Sequence, residues 1–405
     1  MEFKIFVKIS IVVIIRFRQS LLIKRECFMK IYVLNDYSEG DSISLIKRFF
    51  CCSEFQLTNS IINADFIFVP TDIGKFYADK IIKLYTNLLK SKHYQKYSYK
   101  YIFYSSLDNS WNFPLSGIWL RESVRNNINS KQSICIPYPT MRQTYVRPKI
   151  NTYTINFVGS LITHPIRNKI IQYYYGLNKI NKIIMIPRFE YQGHIAGDHK
   201  EIKKRTDEMI QMIRNTFITI SPRGAGMNSM RFFETLSFGR IPLLISDDCV
   251  LPFENRIDYK NIIYRINENE IKKINDITLF TTEEMLKKCE RVYDVFNENF
   301  VGASLSKNLY IELLDKREKI RKCDLILEHN LTEYFYSHLD EYYKRNEYYN
   351  IFSTIEFVNS ITNHNKELQV TLSNMMINIK EVLTKDIQKF KDQYISYLES
   401  RILSV

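Results

Sequence analysis

The sequence has few of the residues that build metal sites and disulfide frameworks. Its 405 residues include seven histidines and seven cysteines. The cysteines are scattered without CxxC spacing, and the histidines form no HExxH motif. An odd number of widely separated thiols is typical of a reducing compartment. We therefore expect reduced cysteines, a cytoplasmic location and no transition-metal centre built by the protein.

The sequence also lacks arginine-rich runs, zinc-finger spacing and aromatic motifs of the RNA-recognition type. Its formal net charge is nevertheless +13, with six Lys or Arg and two Glu in residues 1–28 and the rest of the excess spread along the chain. A diffuse positive charge is typical of a solvated surface or of a protein whose substrates carry phosphate. We predict no specific nucleic-acid partner, and keep a non-catalytic basic nucleic-acid-binding protein as an alternative.

No apolar run near the start is long enough to span a membrane. Ile5–Ile15 is apolar except for Lys8 and Ser10, and four basic residues follow. A spanning helix needs about 20 apolar residues, and no small-residue cleavage pattern is present. Met29 opens a run typical of a buried strand. We interpret residues 1–28 as an extension outside the core, either an upstream extension of the reading frame or a basic segment in peripheral contact with a membrane.

Short β-rich runs alternate with longer helical patterns, which predicts parallel sheets covered by helices on both faces. The predicted strands are Ile31–Leu34, Phe66–Val69, Tyr101–Tyr104, Ser133–Ile136, Ile155–Val158, Ile183–Ile186, Phe217–Ile220 and Ile241–Ile245, and the predicted helices span residues 41–50, 78–91, 165–175, 199–214 and 228–238. Residues 137–153 hold three of the ten prolines and mark a domain boundary. No proline follows Pro252, and the only later glycine is Gly302, so we expect the end of the chain to be mostly helical. The predicted units are an extension (1–28), two Rossmann-like domains (29–145 and 146–300) and a helical region (301–405).

Glycine is scarce, yet three of the 11 glycines fall in residues 221–248. Gly224 and Gly226 lie between a predicted strand, Phe217–Ile220, and a helix for which Asn228 or Ser229 is a suitable N-cap. Glycines let a backbone approach a ligand closely, and a helix N-terminus presents free N–H groups that favour an anion. This stretch therefore predicts a site for a phosphate-bearing ligand.

Two arginines and a glutamate accompany these glycines. Arg223 lies in the loop and Arg231 in the first turn of the helix, where each brings a fork-shaped cation to the same place. Glu234 follows on the same helical face and can accept hydrogen bonds from ribose hydroxyls. The combination suits a nucleoside diphosphate. In the alternative interpretation, Arg231 and Glu234 only pair along the helix and the glycines only close a tight turn.

The stretch from residue 221 to residue 253 resembles the central motif of the exostosin family of glycosyltransferases. That motif has a Pro-Arg-Gly loop, a Ser-x-Arg-x-x-Glu helix start, a Gly-x-Ile-Pro strand entry and a Leu-Pro-Phe after two acidic residues. The matching sequence is SPRGAGMNSMRFFETLSFGRIPLLISDDCVLPF. Weaker matches follow the family order upstream, so the resemblance covers roughly residues 60–270. They are NADFIFVP at 63–70, YIFYSSLDNS at 101–110, ICIPYP at 134–139 and NFVGSLITHPIRNKI at 156–170.

The resemblance implies an α/β protein of GT-B architecture, with two Rossmann-like doubly wound domains that face a cleft. It implies transfer of a sugar, with inversion, from a nucleotide-sugar donor, which we take to be a UDP-sugar, to a hydroxyl of a glycan or glycoconjugate acceptor. The donor is a co-substrate, so no cofactor is expected. Asp247 and Asp248 lack the DxD spacing of metal-diphosphate sites, so no metal is expected either. A fucosyltransferase-like enzyme using a GDP-sugar is the alternative.

The resemblance also assigns roles to individual residues. The base that deprotonates the acceptor is expected from the first domain, with Asp108 as first candidate and Asp72 as second. Two positions depart from the family pattern: Tyr99-Lys100-Tyr101 stands where Arg-Asp-His is frequent, and Arg240 stands where cysteine is usual. The residues expected to bind the donor are Arg167, Arg223, Gly224, Gly226, Asn228, Ser229, Arg231 and Glu234.

Overall fold

The computed structural model describes residues 28–320 apart from ten short gaps. The predicted extension up to residue 27 and the part of the predicted helical region beyond residue 320 lie outside the described residues. The described ranges are 28–34, 42–73, 78–106, 108, 115–126, 132–140, 142–148, 154–175, 183–189, 198–277 and 281–320.

The first half of the chain forms a six-stranded sheet in which every strand pair is parallel, in the order β2-β1-β3-β4-β5-β6. Its inner strands are apolar and buried along their length, because helices cover both faces of the sheet. The strands are β1 Met29–Val33, β2 Phe55–Thr58, β3 Phe66–Asp72, β4 Tyr101–Ser105, β5 Ile118–Arg121 and β6 Ser133–Cys135; the helices are α1 Ser42–Phe49, α2 Ala78–Lys90 and α3 Lys92–Tyr97.

The second half forms a five-stranded parallel sheet in the order β11-β10-β9-β7-β8. Its core is rich in isoleucine, leucine and phenylalanine, with central residues such as Ile220 and Leu243 fully buried. The strands are β7 Ile155–Ser160, β8 Ile183–Arg188, β9 Ile218–Pro222, β10 Ile241–Ile245 and β11 Tyr264–Ile266; the helices are α4 Pro165–Tyr175, α5 His199–Arg214, α6 Met230–Ser237, α7 Ile274–Ile277, α8 Thr282–Asn299 and α9 Gly302–Ile320.

Both sheets reverse their winding direction at one point. In the first sheet β2 lies on one side of β1 and β3 on the other, and in the second sheet β8 and β9 flank β7 in the same way. Right-handed connections that reverse direction place helices on both faces of a sheet. The protein is therefore an α/β protein with two doubly wound sheets, as predicted. Ligands of such folds bind at the carboxyl ends of the strands, beside the reversal point.

Segments that follow β5 and β10 join the two halves. Asn126 N donates to the Asp248 carbonyl over 2.8 Å, and Val250 N donates to the Val124 carbonyl over 3.1 Å. Because both segments start at the carboxyl ends of parallel strands, these bonds bring the carboxyl edges of the two sheets towards each other. They form the GT-B arrangement that the resemblance implies.

The helix α9 leaves the second half and packs on the first. Leu309 and Leu313 belong to the core of the first sheet, and Ser306 Oγ donates to the Phe49 carbonyl over 2.9 Å. Its hydroxyl also accepts from Cys52 N over 3.0 Å. The helical character predicted beyond residue 301 is confirmed over this helix. The helix also contacts the second half, because Leu305 belongs to the core of the second sheet. The predicted domain limits stay a prediction.

Arg240, which departs from the family pattern, is fully buried. Its guanidinium donates to the carbonyls of Arg214 over 2.9 Å, Val146 over 2.7 Å and Phe238 over 3.0 Å. Arg214 and Phe238 lie at the carboxyl ends of α5 and α6, where a cation is favourable. The arginine therefore ties two helix ends to the segment between the two sheets.

The state of the cysteines and the apolarity of the helices were both addressed in the sequence analysis. The five described cysteines are all free thiols: Cys51, Cys52, Cys135, Cys249 and Cys289. Among the described helices, none has the length and apolarity needed to cross a membrane.

Candidate functional site

A cavity of about 380 Å³ opens at the carboxyl edge of the second sheet. Gly159 and Ser160 at the end of β7 and Pro222 at the end of β9 line its floor. These strands are the two between which the winding direction reverses, so the cavity lies where the topology predicts a ligand. The motif identified from the sequence supplies the adjoining loop and the start of α6.

The loop before α6 brings backbone groups to the cavity. A Cβ atom at Gly224 would lie 3.3 Å from Arg167 Nη2 and 3.7 Å from Thr163 Oγ1, so a larger residue would crowd the wall. Ser229 is the N-cap of α6, but its side chain makes no capping hydrogen bond. The N-terminal amides of α6 are thus not capped by that side chain, which leaves the helix start suited to an anion.

Arg231 and Glu234 line the same wall of the cavity. Arg231 Nη1 lies 3.2 Å from Glu234 Oε2, the ion pair that the alternative interpretation of the motif predicts. Arg231 Nε and Nη1 are nevertheless buried and have no hydrogen-bond partner among the described residues. Burial lowers the pKa of Arg231 and the Glu234 carboxylate opposes that effect, so the guanidinium stays charged at neutral pH.

Three further polar atoms in the cavity wall are buried without a hydrogen-bond partner within the described ranges: Asn228 Nδ2, Ser160 Oγ and Thr163 Oγ1. Asn228 Oδ1 accepts from Ser229 N over 2.8 Å, which fixes the amide so that only its Nδ2 donors remain. A buried polar group without a partner costs roughly 1–3 kcal/mol. Such groups collected in one cavity indicate a ligand rich in hydrogen-bond acceptors.

Arg167 connects the two strands at the floor of the cavity. Its guanidinium donates to the carbonyls of Ser160 over 2.9 Å, Arg223 over 2.9 Å and Pro222 over 3.1 Å. It also lines the cavity, so its charge faces the ligand space. Arg167 therefore holds the site together in addition to contributing positive charge.

Two residues of the predicted set lie beside the cavity rather than in its lining. The side chain of Arg223 is buried, with Nη1 3.8 Å from Glu268 Oε1, and Nη2 donates to the Ala225 carbonyl over 3.4 Å. At Gly226 a Cβ atom would lie 2.5 Å from Ser123 Oγ and 3.0 Å from Asp108 Oδ1. At Gly226 the second half therefore lies directly against the first, and the next residue, Met227, donates through its backbone N to Ser123 Oγ over 2.8 Å.

The opposite wall comes from residues for which the sequence carried no signal. Arg188 ends β8 and pairs with Glu208, and Arg205 on α5 donates through Nε to Glu201 Oε1 over 2.7 Å. Both arginines line the cavity, together with the apolar side chain of Met209. These residues stand in sequence stretches with ordinary helix and strand patterns. Their place in the cavity wall depends on the packing of α5 beside β7, which those patterns do not indicate.

Asp108 reaches the cavity from the first half of the chain. Its Oδ1 accepts a hydrogen bond from the Tyr138 hydroxyl. Burial raises the pKa of Asp108, while the Tyr138 hydrogen bond and the charges of Arg167, Arg223 and Arg121 act in the opposite direction. A carboxylate with a raised pKa at the edge of a ligand cavity has the properties of a general base.

Asp72, the second candidate base, makes a different set of contacts. It ends β3 and accepts hydrogen bonds from Ser106 N over 2.9 Å and Ser106 Oγ over 2.6 Å. It does not belong to the cavity lining. In this structure its carboxylate binds the residue that follows β4.

The adjacent pair Asp247 and Asp248 has structural contacts. Asp247 Oδ1 accepts from Glu268 N over 2.7 Å, and the Asp248 carbonyl accepts from Asn126 N. Within the described part of the chain, no three His, Cys, Asp or Glu side chains are grouped so that they could hold a metal ion.

One protein-family model matches the part of the chain that forms the two sheets and the cavity. The model described as Exostosin GT47 domain matches residues 29–279 of the 405-residue chain. The chain belongs to the exostosin GT47 family. Within the family domain lie both sheets, the cavity and all ten residues for which the resemblance predicted a role.

Individual relatives of this exostosin-family chain match over shorter stretches. The Exostosin-1 homolog of Caenorhabditis elegans is 30% identical over 93 residues, 22% of this chain and 24% of that protein. Exostosin-1 of Drosophila melanogaster is 24% identical over 181 residues, 43% of this chain and 23% of that protein. A probable glucuronosyltransferase, GUT1, of rice is 36% identical over 70 residues, 17% of each chain. The matches thus span less than a quarter of the length of these relatives.

Solved structures are more distant still. HepE of Anabaena in complex with UDP-glucose has a TM-score of 0.38 and 8% identity, over 71% of this exostosin-family chain and 99% of that chain. TarM of S. aureus, in a complex that contains UDP, has a TM-score of 0.37 and 10% identity, over 62% of this chain and 55% of that chain. Likeness at this level assigns neither ligand nor reaction to the chain.

Proposed function

We propose that the chain is an inverting glycosyltransferase that moves a sugar from a UDP-sugar to a hydroxyl of a glycan or glycoconjugate acceptor. The observation that carries the proposal is the cavity beside β7 and β9, where unsatisfied donors of one half face Asp108 of the other. Membership of the exostosin family supports the same reaction class.

The cations of the second half fit the diphosphate of the donor. Arg231 and the first amides of α6 lie on one wall, and Arg188 and Arg205 lie on the other. A diphosphate can replace Glu234 as the partner of Arg231, because a partly exposed ion pair contributes only about 0–1 kcal/mol whereas hydrogen bonds to charged groups contribute about 1.5–3 kcal/mol. Glu234 is then available for the ribose hydroxyls.

Asp108 performs the proton transfer. Its carboxylate takes the proton from the acceptor hydroxyl while the acceptor oxygen forms a bond to the anomeric carbon. The bond between that carbon and the diphosphate oxygen breaks on the opposite face, and the nucleoside diphosphate leaves with the electron pair. Arg167 and Arg231 stabilise the charge that develops on the leaving group, so in this proposal no metal ion is required. Asp72 is the alternative base.

Binding and turnover can be tested separately. UDP and GDP are compared by thermal shift, and release of the nucleoside diphosphate from matching sugar donors is measured with oligosaccharide acceptors. We expect stabilisation by UDP and turnover that falls roughly 10²- to 10⁴-fold in Asp108→Asn with donor affinity nearly unchanged. Asp258→Asn, a change at an exposed aspartate that does not line the cavity, is the matched control.

Three outcomes would change the proposal. Stabilisation by GDP and not UDP would favour a GDP-sugar as donor. Full turnover in Asp108→Asn would remove this residue from the reaction and direct the search to Asp72. Steeply salt-dependent binding to DNA without any nucleotide response would favour the non-catalytic nucleic-acid-binding alternative.

A further inference from the structure

Tyr138 joins the two halves of the protein at the proposed base. It follows β6 in the first half, yet its ring belongs to the core of the second sheet and lies 5.8 Å from the ring of Phe233 on α6. The side chain is buried, lines the cavity and donates its hydroxyl proton to Asp108 Oδ1. Tyr138 lies in the family-like stretch ICIPYP at 134–139, but that match assigned it no role.

The backbone that carries Tyr138 is held from the opposite side. Arg48 on α1 donates through Nη2 to the Pro137 carbonyl over 2.5 Å and through Nη1 to Glu122 Oε1 over 3.0 Å. Glu122 is buried and also accepts from the Tyr104 hydroxyl over 2.7 Å. The backbone beside the tyrosine is thus held by Arg48, which Glu122 keeps in place, and its ring is held by aromatic packing.

The phenol can act only as a donor to the carboxylate. Burial and then the neighbouring Asp108 carboxylate raise the pKa of Tyr138 well above its usual value, so the hydroxyl stays protonated. Close packing limits movement of the carboxylate on another side, because a Cβ atom at Gly226 would lie only 3.0 Å from Asp108 Oδ1. The bond from Tyr138 thus holds Oδ1, and Oδ2 is the carboxylate oxygen that this bond leaves available to an acceptor proton.

We propose that Tyr138 is a positioning residue for the transfer reaction: its hydroxyl fixes the orientation of Asp108 and keeps the carboxylate in its ionised form. This inference rests on the proposed function for its chemistry, since Asp108 is the base in that function. Arg121 on β5, Arg167 on α4 and Arg223 after β9 also favour the ionised form. These charges stay in place when only the tyrosine hydroxyl is removed.

The test measures the titration of Asp108 directly. Protein with ¹³C-labelled aspartate carboxyls is titrated by NMR, and the Asp108 signal is identified by its loss in Asp108→Asn. Tyr138→Phe keeps the ring against Phe233 and removes one hydrogen bond to the charged form. We expect the pKa of Asp108 to rise by about one to two pH units. Tyr94→Phe, which loses a buried 2.8 Å bond to the Ser116 carbonyl away from the cavity, should leave it unchanged.

Two further measurements separate positioning from a merely structural role. In Tyr138→Phe the acid limb of the pH profile of kcat/KM should move upward by the same amount, and activity should recover at higher pH. Replacement of Tyr138 by 3-fluorotyrosine, a stronger donor of nearly the same shape, should move the limb downward. This substitution keeps the inference testable if the phenylalanine variant does not fold.

The two proposals can fail independently. An unchanged Asp108 titration in Tyr138→Phe, together with normal sugar transfer by the wild type, would overturn the role of Tyr138 and leave the transfer reaction intact. A shifted titration in a protein that turns over no nucleotide-sugar would support the contact and overturn the proposed function.

Discussion

Replacement of Arg231 by alanine tests whether the guanidinium binds the diphosphate of the donor or only pairs with the Glu234 carboxylate. The variant removes a cation whose Nε and Nη1 have no hydrogen-bond partner in the described part of the protein. If these groups bind diphosphate, the loss is that of hydrogen bonds to a charged ligand, about 1.5–3 kcal/mol. Affinity for UDP should therefore be roughly ten-fold to more than a hundred-fold lower in the variant than in the wild type. Uridine lacks the diphosphate and should lose much less.

Isothermal titration of UDP and uridine against wild type and variant measures the difference. The matched control is Arg256→Ala, which removes a guanidinium of the same sheet domain, paired with Glu312 at 2.6 Å and absent from the cavity lining. Like Arg231, Arg256 is paired with one glutamate, so the two variants each remove one charge and one ion pair. The control should leave UDP affinity unchanged. Equal losses for UDP and uridine in Arg231→Ala, or none, would refute the assignment and favour a pairing role with Glu234.

Three other variants test the ribose contact, the close packing at Gly226 and the titration of Asp108. Glu234→Gln should weaken uridine binding without lowering Tm, and unchanged calorimetric affinity would contradict a ribose contact. Gly226→Ala places a Cβ atom 2.5 Å from Ser123 Oγ and 3.0 Å from Asp108 Oδ1, so turnover should fall far more than UDP affinity; wild-type kinetics would speak against the crowding. Asp108→Asn should become more stable relative to wild type as pH rises above about 4, because burial raises the Asp108 pKa. A Tm difference that shrinks with pH would refute that sign.

The direction of the pH effect on the stability of Asp108→Asn relative to wild type follows from proton binding by Asp108. Between the ordinary aspartate pKa of about 3.9 and the raised pKa of folded Asp108, the folded protein binds more protons than the unfolded chain. Stability of the wild type therefore falls as pH rises through this window. Asparagine does not titrate and still accepts a hydrogen bond from Tyr138, so the variant lacks this loss.

The second half of the fold was predictable because its strands are nearly uninterrupted apolar runs. The strand Ile241–Ile245 and the helices Pro165–Tyr175 and His199–Arg214 have the bounds that the patterns indicate. Strands missing from the prediction are short or end in polar residues. Phe55–Thr58 exposes two of its four residues at a sheet edge, and Ile118–Arg121 ends in a buried arginine that breaks the apolar pattern.

From local patterns alone, the site was predictable only where one continuous segment supplies it, whereas Arg167 and Asp108, which also line the cavity, were expected from the resemblance to the exostosin family. The motif around Arg231 carries its own glycines, helix start and charges, so its position followed from local patterns. Three further residues line the same cavity from separate segments: Tyr138 after β6, Thr163 before α4 and Arg205 on α5. They come together only when these segments pack against one another. Such contacts are products of tertiary packing, which no local periodicity encodes.

The most direct measurement of the central claim is the location of UDP in a crystal of the complex. We predict diphosphate oxygens within hydrogen-bonding distance of Arg231 and the first amides of α6, ribose hydroxyls at Glu234, and the terminal phosphate turned towards Asp108. UDP bound at the carboxyl edge of the first sheet, or a cavity that stays empty at saturating UDP, would contradict the assignment of this cavity to the donor.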